Sequence, residues 1–284
     1  MSEVVLTLSC PDRPGIVAAV AGFVTAHELN IVESHQFCDR TAGRFHLRVA
    51  AEPLTGAAPD VEALRAGFTD VARAFDMDWR LVDAGRKPRV LIMVSRHGHC
   101  LNDLLHRVQT GQLHAEVVAV VSNHLDWRRL VESAGIPFIH IPVEPASKAD
   151  AEDKLLQLVE EQQVELVVLA RYMQILSARL CERLRGRVIN IHHSMLPSFK
   201  GARPYQQAHD RGVKFVGATA HYATADLDEG PIIEQEVQRV DHAMDAAAVA
   251  ALGRDTECLA LSRAVRYHLE NRVVVHGHRT VVLK

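Results

Sequence analysis

Five short runs of apolar, often β-branched residues set the tightest limit on what this chain can fold into. They are Val90–Val94, Val117–Ser122, Phe138–Ile141, Leu166–Ala170 and Val188–Ile191. Helix-compatible segments near Leu101–Thr110, Leu125–Ala134 and Lys148–Glu161 separate the first four. Runs of this length suit buried strands, and their alternation with helices brings successive strands parallel in one sheet. The pattern predicts a Rossmann-like, doubly wound α/β domain, in which ligands bind at the carboxyl ends of the strands. No internal repeat or low-complexity tract interrupts it.

The residues before this domain follow another order. Val4–Ser9 is strand-like, Gly15 to about His27 is helical with Ile16, Val17, Val20 and Val24 on one face, and Asn30–Cys38 with Arg44–Ala50 forms a hairpin around a turn at Asp39–Gly43. Asp60 caps a second helix whose Val61, Leu64, Phe68, Val71 and Phe75 recur at helical spacing, and a strand around Trp79–Val82 closes the series. The order βαββαβ is that of a ferredoxin-like domain. Asp83–Pro88 is a short polar joint, so the expected division is 1–84 and 85–284. At the far end, Asp245 caps an Ala-rich helix to about Arg272, and Val273–His276 with Thr280–Leu283 forms a hairpin expected to close the second domain.

Composition excludes several classes. Thirty-two Lys and Arg against 35 Asp and Glu give a net charge of −3 with no long run of either sign. A general affinity for nucleic acid or for a membrane surface is therefore not expected. Cys10, Cys38, Cys100, Cys181 and Cys258 are scattered and never form a C-x-x-C pair, which fits reduced thiols rather than a disulfide framework or zinc cluster. The chain begins without a basic segment leading into an apolar core, and no apolar run approaches transmembrane length; a cytoplasmic protein is expected.

The chemistry concentrates between Val188 and Gln235. Asn190 and His192 stand two apart at the end of a strand, so extended backbone sends both to one side and His193 to the other. Phe215–Tyr222 and Ile232–Val240 are strands, Pro204 to about His209 is a short helix, and Ser198, Lys200 and Gly201 break regular structure. The tight acidic loop Asp226–Pro231 can swing a carboxylate over the strand ends. An amide can donate to a developing oxyanion, an imidazole can protonate a leaving nitrogen, and a carboxylate can orient both the imidazole and a water. None of the three is a nucleophile, so the attacking group must come from elsewhere.

The sequence NIHHSMLPSFKGARPYQQA, followed by GATAHY and DLDEGP, resembles the folate-dependent formyltransferase superfamily over about Arg89 to Val240. The resemblance implies Asn190, His192 and Asp228 as the catalytic set. It also implies a pterin pocket lined by Arg171, Tyr172, Met173, Gln174, Ile175 and Leu176, with His221, Thr224 and Asp226 as further substrate contacts. Asp226 is placed to shape the loop. The segment CPDRPGIV looks like the start of an ACT domain, a small amino-acid-sensing module. Asp12, Arg13, Gly15 and Ile16 are then candidates for binding a small amino-acid effector at the open helix N-terminus; the competing reading of DRPG is a plain tight turn. Such modules pair across subunits, so a homo-oligomer, dimer or tetramer, is expected by analogy.

Together the two resemblances imply a hydrolase acting on a linear amide C–N bond, with 10-formyltetrahydrofolate and water giving tetrahydrofolate and formate. That activity would supply formate for purine synthesis and balance the one-carbon folate pool. The alternative is transfer of the formyl group to an amine such as glycinamide ribonucleotide. Transferases of that kind carry a glycine-rich loop where this chain has Ser95–Cys100 with Arg96, His97 and His99, which can fill the acceptor space or bind an anion. No metal or other cofactor is expected: His97-x-His99 lacks nearby third and fourth ligands in the sequence, and His192 and His193 should diverge. Ser194, Ser198, Cys181 and Cys258 are expected to be structural.

Overall fold

The computed structural model describes residues 3–56, 58–144, 147–197 and 204–284. Ser198, Lys200 and Gly201, expected to break regular structure, lie outside these residues. Two compact units emerge. The first is the chain up to Lys87 together with Glu270–His276 and Thr280–Lys284; the second is Pro88–Leu269 with Gly277–Arg279.

In the first unit, β1 (Val4–Pro11), α1 (Ile16–Ala26), β2 (Leu29–Asp39), β3 (Arg44–Pro53), α2 (Val61–Ala74) and β4 (Asp78–Asp83) follow the expected order. The strands form an antiparallel sheet, β2-β3-β1-β4. Strand alternation divides its faces. Leu6, Leu8, Leu47 and Val49 pack with Val20, Phe23, Leu64 and Phe68 of the helices, while the opposite face carries the polar residues Thr7, Ser9, His46 and Arg48. Asp60 caps α2, accepting from the amides of Glu62 and Ala63 at 3.0 Å each.

That polar face explains a departure from the sequence reading. The hairpin of β12 (Val273–His276) and β13 (Arg279–Val282) was expected to close the second domain; most of it, with the residues leading into it, groups instead with the first. Thr7 Oγ1 donates to the Asn271 carbonyl at 2.8 Å, Arg48 Nε to the Glu270 carbonyl at 3.0 Å, and Arg272 to Glu33 at 2.9 Å. Arg48 is buried and also pairs with Glu33. Buried polar groups require partners, and the tail supplies them.

The second unit contains β5 (Arg89–Val94), α3 (His99–Gln109), β6 (Glu116–Ser122), α4 (Arg128–Ser133), β7 (Phe138–His140), α5 (Lys148–Glu161), β8 (Leu166–Leu169), α6 (Ala178–Arg183), β9 (Val188–His192), α7 (Pro204–Asp210), β10 (Phe215–Tyr222), β11 (Ile232–Arg239) and α8 (Ala246–Leu269). Its seven strands run in the order β11-β10-β9-β8-β5-β6-β7. Strands β5 to β9 are parallel; β10 and β11 are added antiparallel. Because β5 lies between β6 and β8, the chain reverses its direction of growth there, and the crevice at such a reversal is where open α/β sheets bind ligands. Asp245 caps α8, accepting from the Ala248 amide at 2.8 Å. The short α6 buries Leu180 and Cys181. None of the described helices is long and apolar enough to cross a membrane.

Candidate active site

Asn190 and His192 reach the cleft from the end of β9, where antiparallel pairing sets His221 opposite Asn190 and Thr219 opposite His192. The loop between β10 and β11 then turns back on the sheet. It can do so only because residue 230 is glycine: a Cβ there would lie 1.7 Å from the Tyr222 carbonyl oxygen. Asp228 adopts a left-handed backbone, φ 58°, uncommon for a side-chain-bearing residue and a local strain held by its surroundings. The turn carries its carboxylate to 3.2 Å from His192 Nδ1 and 3.7 Å from His221 Nε2. Hydrogen bonds from His192 and then His221 hold the Asp228 carboxyl well below the usual carboxylate range, outweighing its partial burial.

These contacts order the ring protons. His221 Nδ1 donates to the Tyr222 carbonyl at 3.0 Å, and its Nε2 lies 3.2 Å from Asn190 Nδ2. His192 is only 7% exposed and turns Nδ1 to Asp228, leaving Nε2 buried and without a hydrogen-bond partner among the described residues. Nε2 is therefore the ring atom available to a ligand.

The cleft has a volume of about 860 Å³, enough for a molecule larger than a nucleobase. Its wall includes Asn190, His192 and Asp228, the whole segment Arg171–Leu176, and His221 and Thr224. Asp226 does not line it. The Asp226 carbonyl instead accepts from Thr224 Oγ1 at 3.0 Å and from the Glu229 amide at 3.3 Å, so this residue shapes the loop rather than contacting the cavity. Cys181, expected to be structural, does line the wall. Tyr172 is buried, and burial followed by the charge of Glu152 pushes its phenol up to about 12. The Arg171–Leu176 loop is fixed through Ser95, whose Oγ accepts from the Met173 amide at 3.0 Å and donates to Asn123 at 2.7 Å.

Two features were not legible in the sequence. His193 also lines the cleft beside His192, at 5.1 Å between ring centroids, because β9 ends at His192 and strand alternation no longer governs the next residue. The second is Glu257, a carboxylate only 1% exposed in the middle of α8. It accepts from Tyr205 at 2.5 Å, faces His99 Nε2 at 2.8 Å and lies 3.4 Å from Arg171 Nε. Burial alone would raise its pKa; the hydrogen bond to His99 and the charge of Arg171 outweigh it and hold the carboxyl below its ordinary value. Arg171 thus turns its guanidinium to Glu257. His99, Cys100 and Glu257 bring potential metal-ligand atoms within 4.8 Å of one another. The arrangement is poor for a cation, because both Glu257 oxygens already have partners and the Arg171 charge adjoins them.

In the first unit, Gly15 has φ 96° and begins α1 without a side-chain cap, leaving the open N-terminus that the sequence implied. Ile16 packs into the core, so its side chain cannot face an effector. Arg13 lies over the Phe75 ring at 4.8 Å, and Asp12 accepts from the Cys38 thiol at 3.1 Å.

Known proteins carry the same combination. The chain matches the formyl transferase family over residues 88–265 and the ACT domain over residues 4–66. It is 56% identical over 281 residues to the formyltetrahydrofolate deformylase of Corynebacterium sp. (strain P-1), spanning 99% of this chain and 98% of that protein. The chain belongs to the formyltetrahydrofolate deformylase family. The crystal structure of the family member from Burkholderia mallei ATCC 23344 superposes with a TM-score of 0.95 at 48% identity, covering all of both chains. A glycinamide ribonucleotide transformylase from Symbiobacterium toebii is more distant, with a TM-score of 0.66 and 28% identity over 72% of this chain and 98% of its own.

Proposed function

We propose that this chain hydrolyses 10-formyltetrahydrofolate to tetrahydrofolate and formate, with Asn190, His192 and Asp228 as the acting groups. The observation that carries this reading is the Asp228–His192 contact of 3.2 Å, with the far nitrogen of the same imidazole buried and unpartnered at the cleft wall. The cleft suits a flat heterocycle with an extended tail: Met173, Ile175 and Leu227 on its wall are 55%, 58% and 58% exposed, apolar surface that a bound ring would cover.

Water oxygen bonds to the formyl carbon, its surplus proton passing to solvent, while the Asn190 amide donates to the oxyanion. The tetrahedral intermediate then loses N10, an aryl amine too weakly basic to depart unprotonated. His192 Nε2 delivers the proton, and Asp228 stabilises the imidazolium and orients the water. The formic acid released gives up its proton, which restores His192. The chemistry requires water and no cofactor. The first unit acts as a sensor for a small amino acid at the start of α1. The chain works as a homo-oligomer, dimer or tetramer, for which the edge strand β2, with Ile31, Val32 and Phe37 exposed, offers a pairing surface.

The test supplies 10-formyltetrahydrofolate with and without glycinamide ribonucleotide and measures both formate and formylated amine. Formate release at full rate without the amine is expected, and formylated amine as the main product would replace hydrolysis by transfer. Asn190→Ala should fold and lose about 10²–10³ in turnover; activity within a few-fold of the parent would remove Asn190 from the set.

A further inference from the structure

We propose that His193 holds the attacking water, accepting a hydrogen bond from it through Nδ1, and so directs the site to hydrolysis. The inference rests on the catalytic reading above and adds to it the placement of the nucleophile. Water needs two acceptors to be aimed: with both protons engaged, its free lone-pair side is turned to the formyl carbon. Asp228 supplies one acceptor, but its carboxylate already faces His192 and His221. His193 is the neighbouring group with a free one. Its Nδ1 is buried and has no hydrogen-bond partner among the described residues, and the residue lines the same cleft as His192. A buried ring nitrogen left bare is costly unless a ligand completes it.

The surroundings fix this ring and keep it an acceptor. Its edge contacts are the His192 ring at 5.1 Å and the Tyr205 ring at 6.3 Å between centroids. Tyr205 is anchored by its hydrogen bond to buried Glu257 and fits because residue 253 on α8 is glycine, where a Cβ would lie 2.2 Å from the Tyr205 ring. The backbone after His193 is held by Thr219, which donates to the Ser194 carbonyl at 2.8 Å and accepts from the Leu196 amide at 3.1 Å. Burial, then the nearby positive charge of Arg171, pushes the His193 imidazole down to about 4, with Glu257 and Asp228 opposing. The ring is thus neutral in the physiological range. With its proton on Nε2 it accepts at Nδ1 and competes with His192 for no proton. His193 orients the water; the proton given to N10 still comes from His192.

The experiment compares His193→Leu with the parent on 10-formyltetrahydrofolate, alone and with hydroxylamine, and measures formate and formyl hydroxamate. Formate release should fall about 10²-fold, the cost of a misplaced reactant, at a KM within a few-fold of the parent. The hydroxamate-to-formate ratio should rise about tenfold or more, because a strong added nucleophile depends less on the lost acceptor. Asn190→Ala should lower both products by the same factor, which separates failure of this proposal from failure of the catalytic assignment. Formate release by His193→Leu within a few-fold of the parent, or equal loss of both products, overturns the role. If His193→Leu does not fold, His193→Asn and His193→Ala decide: the asparagine oxygen should restore formate release well above the alanine level, and equal rates in the two overturn the proposal.

Discussion

Gly230 is the position at which the geometry of the site can be tested without touching a reacting group. A methyl added there would sit 1.7 Å from the Tyr222 carbonyl oxygen and 2.9 Å from its carbon, with His221 Nδ1 at 3.3 Å, and backbone cannot rotate away as a flexible side chain can. Restoring even a 3.0 Å separation requires the loop to retreat by about 1.3 Å or more, the difference between that limit and the present distance. Asp228, two residues earlier on the same loop, would move with it. Its 3.2 Å contact with His192 then lengthens beyond hydrogen-bonding range. A displacement of about 1 Å at a catalytic group costs roughly 10²-fold in rate. Overpacking strain of about 1–3 kcal/mol should lower the melting temperature by several degrees, at roughly 2–4 °C per kcal/mol for a unit of this size. Gly230→Ala should therefore give a folded protein with about 1% of parental turnover in a formate-release assay. Turnover within threefold of the parent at an unchanged melting temperature would refute the claim that the loop's close approach positions Asp228.

Glu257→Ala leaves the buried Arg171 charge without its carboxylate, a loss that typically costs about 3–5 kcal/mol; thermal unfolding should show a fall of roughly 6–20 °C, and a melting point equal to the parent's would mean that Arg171 finds another partner. Glu33 in the first unit is held down to about 2, since hydrogen bonds from Arg272, His35 and Arg48 outweigh the burial that would raise it. A depressed carboxyl adds stability above its ordinary value of 4.5 and loses it as pH falls through about 2. Acid unfolding followed by tryptophan fluorescence, with Trp79 reporting on this unit, should therefore steepen across that interval, and Glu33→Gln should flatten it. An identical acid profile in Glu33→Gln would show that the cluster with Arg48 and Arg272 does not govern acid stability.

Local pattern made much of this molecule legible. Phe215–Tyr222 is found as expected, residue for residue, and the strand-end placement of Asn190 and His192 followed from a period of two. What the sequence left hidden depends on distant partners. α4 begins at Arg128 rather than at Leu125, in a segment where Trp127 packs against Gly98 and donates to the Arg96 carbonyl at 3.2 Å. Glu257 looks like an ordinary solvated helix residue until Tyr205, His99 and Arg171 converge on it from other elements. His193 was expected to diverge from His192 because the sequence does not mark where β9 stops. The C-terminal hairpin is recognisable as a hairpin, but nothing local says which sheet it will accompany.

That last feature bears on how the chain is made. The hydrogen bond from Thr7 to Asn271 joins residues 264 positions apart, and that from Arg48 to Glu270 spans 222. During synthesis the N-terminal sheet emerges first, yet the Asn271 and Glu270 carbonyls and Arg272, which complete the partners of Thr7, Arg48 and Glu33, are added only after Pro88–Leu269 has been translated. Long-range closure of this kind is slow and pays its chain entropy before its contacts form. Folding of the intervening residues brings the two ends of that long loop within reach sooner than an unfolded linker would. The βαββαβ unit can therefore reach its final stability only after the unit inserted within it has folded, which makes the first domain to be translated the last to be completed.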